Sequence, residues 1–283
     1  MTAARSVPSG RRIDSDPADR ASPRLAATLP VDIVAPSGDD PVDSLLTLLS
    51  WRAPGAGTRI TYSFAGPESL WAHDYGLELG DWRPLTPEQQ EAVRAALAAW
   101  ARLAPIEFVE VADDADGSGV MRFARTAAAP TAQAHLPNEA EQGGDVWLGL
   151  GYFGDRAEIS PGTYGFATLI HEIGHALGLK HPHGGGGSGV ILPAGQDWIG
   201  ASIMSYRSAP AEPVTAGYAV EFYPTTPMPL DVLAIRHPCG GRGEVSLSDD
   251  RYRFRPGERI VQTIEDAGGI DTLDWSARAA TRR

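Results

Sequence analysis

Val93, Leu97 and Trp100 recur at i, i+4 and i+7 behind the segment Thr86-Pro87-Glu88-Gln89. That segment supplies an N-cap hydroxyl, a proline suited to the first turn and a glutamine three residues past the cap. The pattern therefore predicts a capped helix whose apolar stripe faces a core. Further on the period changes to two: Ile106 to Val111 and Val120 to Phe123 alternate apolar with polar or charged residues, as half-buried strands do, and imply a twisted sheet. Tyr164 to Leu179 is rich in apolar residues, which predicts a second helix buried against that sheet. The start of the chain, to about Pro41, mixes Arg, Asp, Pro, Ser and Ala without one aromatic residue and cannot bury enough surface to order itself. Residues 1–42 are accordingly expected to be a disordered leader, with a short propeptide as an open reading.

Within the second helix lies His171-Glu172-Ile173-Gly174-His175, followed by Gly178 and His181. Residues four apart share a helix face, so His171 and His175 can offer imidazole nitrogens to one ion at roughly 2.0–2.1 Å. Gly178 suits a left-handed helix stop that turns the chain and returns His181 to the same ion. Three neutral ligands on Zn²⁺ leave a position for water, whose pKa falls toward about 7. Glu172 is rotated by about 100° from its neighbouring ligand, which suits it to be the general base and proton shuttle rather than a fourth ligand.

The pattern, with Met204 downstream in Ser202-Ile203-Met204-Ser205-Tyr206, resembles the metzincin signature and its methionine turn. Pro182 after the third histidine and Tyr206 two residues past the methionine make it similar to the serralysin family of bacterial secreted metalloproteases. Matrixins, which usually have serine after the third histidine and lack that tyrosine, are the alternative. The resemblance runs from Asp43 to Ser276. It implies an α/β metzincin-like zinc protease, with a twisted, mostly parallel sheet, the active-site helix and a smaller irregular C-terminal subdomain. It further implies Tyr206 as an additional zinc ligand that swings away to stabilise the oxyanion. Ser44 to Trp51 and Ile60 to Phe64 look like the first helix and strand of that domain. Asp145 to Leu150 resembles the edge strand on which an extended peptide pairs, the alternative being a covered strand. The implied function is a zinc endopeptidase acting on protein or peptide substrates as a monomer. A catalytically silent remnant that binds zinc or peptide is the reading from another class.

Composition narrows the field. With 283 residues, 42% of them hydrophobic, the chain can bury one large core. A net charge of −12 leaves no basic surface for nucleic acid. No run approaches the roughly 18 apolar residues of a membrane span. The single Cys239 excludes an intrachain disulfide. His73, His135, His183 and His237 have no partner spacing and are expected at surface or satisfied positions. Arg11-Arg12 is followed by no apolar run, so no signal peptide is read there, and extracellular localisation follows from the resemblance alone.

Toward the C-terminus, Tyr252-Arg253-Phe254 and Asp266 to Ser276 look like the entry to a calcium-binding β-roll. The Gly-rich repeats do not follow, and neither does a hydrophobic export signal. The expected organisation is a protease domain over 43–235, then a linker and the truncated start of a β-roll over 236–283. In the family, positions matching Asp266, Gly268, Gly269 and Asp271, with a carboxylate near Asp249, contribute to a calcium site, and oxygen ligands suit that ion. A plain Gly/Asp turn is the alternative.

Overall fold

The computed structural model describes residues 29–51, 57–72, 75–214, 220–241 and 246–277. Most of the expected leader, His73 and the last six residues lie outside these.

The first described elements correct two expectations. β1 (Val31–Ile33) falls inside the stretch read as a disordered leader, and it pairs antiparallel with β2 (Leu49–Trp51). Between them, α1 (Asp40–Asp43) is a single turn, so the helix ends where the sequence placed its start at Ser44. Long-range bonds override the leucine-rich helical pattern here. Lys180 N–H donates to the Leu45 carbonyl, Thr47 donates twice to the Gly178 carbonyl, and Leu48 takes a φ of 67°. The segment is thereby tied to the chain beyond the metal-site helix.

β3 (Thr58–Phe64), β4 (Trp82–Arg83), α2 (Pro87–Ala101), β5 (Ile106–Glu110), β6 (Met121–Thr126), β7 (Ala132–Ala134) and β8 (Val146–Gly149) follow in order. They build a six-stranded sheet in the order β5-β3-β6-β8-β7, with β4 beside the end of β6. The β5-β3-β6-β8 pairings are parallel and those of β7 and β4 antiparallel, so the sheet is mostly parallel, as expected. The capping box on α2 forms in both directions: Gln89 N–H donates to Thr86 Oγ1 (3.3 Å), and Thr86 N–H donates to Gln89 Oε1 (3.0 Å).

α3 (Tyr164–Ala176) packs on α2 over one face of the sheet. Trp100 is fully buried between them and donates its indole N–H to the Ile170 carbonyl at 3.1 Å. Trp51 does the same to Ala176 at 2.9 Å. Two tryptophans thus fix the height and rotation of α3, each with a large apolar area and one satisfied polar atom. On the opposite face Trp71, Tyr75 and Trp147 cluster, with the buried Arg122 guanidinium 3.5 Å from the Trp71 ring.

β8 is not the edge strand. All four of its residues are buried and it is paired on both sides, so the substrate-pairing role expected of Asp145 to Leu150 fails there. The edge is β7. Gly149 lets it lie there, because a Cβ at that position would collide with the carbonyls of Ala129 and Thr131.

After a long irregular segment come α4 (Pro229–Cys239), β9 (Arg251–Arg253) and β10 (Thr272–Asp274); the last two form a separate parallel pair. The result is an α/β body with its apolar core between the sheet and α2–α3, and a thin C-terminal appendage.

Candidate metal centre and cleft

Thr163 caps α3 through its hydroxyl, which accepts from Phe166 N–H, and the helix ends at Ala176. Gly178 then adopts a φ of +106°, and a Cβ there would strike the Leu49 carbonyl. Glycine is required twice over, by backbone conformation and by close approach. The turn brings His181 back to the helix. Its Nε2 lies 3.1 Å from that of His171 and 3.0 Å from that of His175. The structure brings one ring nitrogen from each of these three positions within 4.8 Å of the others.

Their outer nitrogens show why the cluster suits a cation. His171 Nδ1 lies 2.8 Å from the Ile203 carbonyl, and His175 Nδ1 lies 2.9 Å from the Leu179 carbonyl. A carbonyl only accepts, so both Nδ1 atoms carry the proton and both Nε2 lone pairs point at the shared centre. Burial, before the neighbouring rings, holds the His171 pKa well below its ordinary value; burial also lowers His175 and brings His181 to about 3. Neutral imidazoles facing one another repel unless a cation lies between them. The separations are close to the roughly 3.3 Å that tetrahedral bonds of 2.0–2.1 Å would give. The donor set fits zinc.

Glu172 is buried beside the cluster, and burial alone pushes its carboxyl up to about 8. A dication nearby reverses that preference in favour of the carboxylate. Tyr206 stacks on the His171 ring (5.4 Å, 16°) and lies 4.3 Å from the His181 ring. Its hydroxyl is pushed up to about 12, chiefly by burial and then by Glu172.

Met204 is fully buried under α3, and a Cβ on Gly174 would stand 2.6 Å from its sulfur and 3.2 Å from the Trp100 ring. Gly174 is thus the position that lets the methionine turn close beneath the ligands. Asp231, from the first turn of α4, anchors that turn. Its carboxylate accepts from Ser202 Oγ (2.6 Å), Ile203 N–H (2.7 Å) and Met228 N–H (2.7 Å). Ile203 therefore links Asp231 on its amide side to His171 on its carbonyl side.

A cleft of about 580 Å³ opens beside Glu172. It is lined by Pro130, Thr131 and Ala132 at the edge strand, by Tyr164, Ala167 and Thr168 of α3, and by Ile203, Tyr206, Val214 and Tyr223. Lys180 braces the loop after His181, donating to the carbonyls of Ser44 (2.6 Å), Gly184 (2.9 Å) and Val190 (2.9 Å).

In the appendage, Asp266 and Asp271 approach Asp250, with one carboxylate oxygen from each within 4.8 Å. Gly268 and Gly269 form the turn between the two, and Gly269 has a φ of +102°. Asp249 is engaged by Ile270 N–H at 2.7 Å.

Sequence reasoning missed four positions: Gly174, Asp231, edge strand β7 and His183. A lone acid in the first turn of an apolar helix was the available signal for Asp231. His237 bonds the Ala35 carbonyl (2.7 Å), a satisfied position, whereas His135 Nε2 lies 3.3 Å from Glu78 Oε1 and is buried with no hydrogen-bond partner among the described residues. His183 is more than satisfied. It lies against the metal site, with Nδ1 3.2 Å from Asp197.

No family model matches the chain. Among known proteins it is similar to the metalloprotease AprA of Pseudomonas entomophila, 31% identical over 255 residues that cover 80% of this chain and 51% of that protein. It is 31% identical to serralysin C of Dickeya chrysanthemi over 69% of this chain and 45% of the relative. To the serralysin of Proteus mirabilis it is 28% identical over 78% of this chain and 50% of the relative. The chain spans about half the length of the curated relatives it matches. Agreement with these relatives over most of its own length, together with the metzincin fold and the histidine cluster, identifies the chain as a member of the serralysin family.

Proposed function

We propose that this chain is an extracellular zinc endopeptidase, in which His171, His175 and His181 hold the ion and Glu172 is the general base. The observation that carries the proposal is the set of lone pairs aimed at one point by backbone-anchored imidazoles, beside a buried carboxyl that has no other assigned task. Zinc, when bound, supplies Lewis acidity and an acidified water.

The chain does the rest. An extended substrate pairs with the free side of β7, and main-chain hydrogen bonds hold its scissile carbonyl over the cluster. The Glu172 carboxylate takes a proton from the attacking water and passes it to the amide nitrogen as the C–N bond breaks. The hydroxide part remains on the new acid and the proton on the new amine. Tyr206 would hold the ion as a further ligand, and its hydroxyl donates to the carbonyl oxygen as charge develops there. Asp250, Asp266 and Asp271 together support a calcium site at the junction to a β-roll.

The test is hydrolysis of a quenched fluorescent casein with zinc, with a chelator, and by the Glu172→Gln variant. The expected outcome is loss of turnover with chelator and a loss of about 10²- to 10⁴-fold in the variant, with zinc content retained. Turnover by Glu172→Gln near the parent rate would refute the assigned base. Zinc binding by the parent without turnover would favour the silent remnant.

A further inference from the structure

The three ligands are not held alike. His171 and His175 sit on α3, and each outer nitrogen is fixed by a backbone carbonyl. His181 comes from the loop, and its Nδ1 meets no acceptor among the described residues. Lys180 secures the main chain of that loop, yet a fixed main chain leaves the imidazole free to rotate about its side-chain bonds. The residues that follow, Gly184 to Gly187, contribute no side chain that could restrain it.

Tyr206, His175 and His171 approach the His181 ring at 4.3, 4.6 and 5.1 Å but at steep or tilted angles, and one further ring lies flat along it. His183 lies parallel to it, with an interplanar angle of 7° and ring centres 5.4 Å apart. It also lies 5.3 Å from the Tyr206 ring. His183 is itself tethered: its Nδ1 is 3.2 Å from Asp197 Oδ2, and that oxygen also accepts from Arg207 Nε at 2.8 Å. The Asp197 side chain is completely buried. Arg207 belongs to the irregular segment leaving the methionine turn and donates again to the Glu212 carbonyl. A line of contacts therefore runs from the methionine-turn segment through Asp197 to His183, and from His183 by stacking to the third ligand.

We propose that His183 is a positioning residue for the metal centre. Clamped by Asp197, it presents a flat ring that holds the His181 imidazole and limits the swing of Tyr206, and so does for the loop ligand what backbone carbonyls do for the helix ligands. The inference rests on the metal-centre reading above. Groups outside the ligand shell that orient a ligand are typically worth 10- to 100-fold in metal affinity.

The experiment uses the whole chain, with zinc affinity measured by competition against a chromophoric chelator. Cobalt-substituted protein supplies a spectrum that reports ligand geometry without turnover. His183→Ala is expected to weaken zinc about 10- to 100-fold and to alter the cobalt bands, while the melting temperature of the metal-free protein stays near that of the parent. His183→Phe keeps a flat ring and should recover most of the affinity, whereas His183→Asn keeps a polar partner for Asp197 and should not. Unchanged affinity and spectrum in His183→Ala would overturn the inference while leaving the metal centre intact. It would also fall if His181→Ala bound zinc like the parent and His183→Ala did not, since His183 would then be a ligand. A parent chain that bound no zinc would remove the metal-centre reading and this inference together.

Discussion

The histidine cluster at the end of α3 and the aspartate cluster beside β9 and β10 each gather three metal-competent side chains within 4.8 Å, and they are built in opposite ways. Around the histidines the lone pairs are left over. The outer nitrogens of His171 and His175 are spent on carbonyls, which leaves the inner ones for a cation. Around the aspartates the oxygens are already engaged. Asp266 accepts from Gly268 N–H and the Tyr252 hydroxyl, Asp271 from Asp250 N–H, and Asp250 from Ser248 Oγ. The first cluster lies beside the main core above a buried methionine, whereas the second stands on a two-stranded pair flanked by exposed Leu247, Ile270 and Leu273. Proximity of ligand atoms is common to both. What separates them is how much of each cluster's lone-pair capacity the protein's own donors already take up.

The strongest way to break this contrast is to exchange the consequences. In the parent, zinc at 1,000 times its Kd should stabilise the fold by about 4 kcal/mol, read by calorimetry. His175→Ala should abolish that gain, while Asp266→Asn should leave it unchanged. Equal sensitivity to the two substitutions would show that the clusters are coupled.

A smaller effect tests the floor of the site. Gly174→Ala places a methyl against the Met204 sulfur and should destabilise by about 1–3 kcal/mol in urea titration. Adding Met204→Ala should cost less than the sum of the two single changes, because the intruding methyl then occupies vacated space. Strict additivity would mean that Gly174 does not matter through Met204.

The smallest effect is a slope with pH that has opposite signs in the two regions. Burial raises the Asp231 carboxyl from 3.8 to about 6, even against three donors. Its folded-state pKa is above the unfolded one, so its stabilising contribution is full below about pH 4 and is lost as pH rises through about 6. Asp266 is held below the usual carboxylate range, first by Gly268 N–H, so its contribution is present at neutral pH and lost on acidification. Melting temperatures of the parent and Asp231→Asn should diverge as pH rises from 4 to 7, because only the parent carries the Asp231 carboxyl. Parallel curves would sink it.

The sequence made the histidines, Glu172, Met204 and the α2 cap legible because each depends on local spacing. Gly178 was legible for the same reason, as a helix stop. What it concealed depends on partners far along the chain. β8 has the apolar and aromatic residues of a strand and was read as the edge, whereas the true edge, Ala132-Gln133-Ala134, has almost no strand signature. Ser44 to Trp51 carries helical leucines, yet bonds to Gly178 and Lys180 unwind it. Gly174 looked like filler between two ligands until Met204 was seen beneath it. His183 had no spacing to announce it, since its partner Asp197 lies 14 residues on.

Lys180 carries a last consequence. Its ammonium is enclosed by the carbonyls of Ser44, Gly184 and Val190, and it holds together three stretches of main chain as a bound ion would. This cation is covalently attached. A chelator cannot strip this one, so the loop that delivers His181 keeps its course whether or not an ion lies between the histidines.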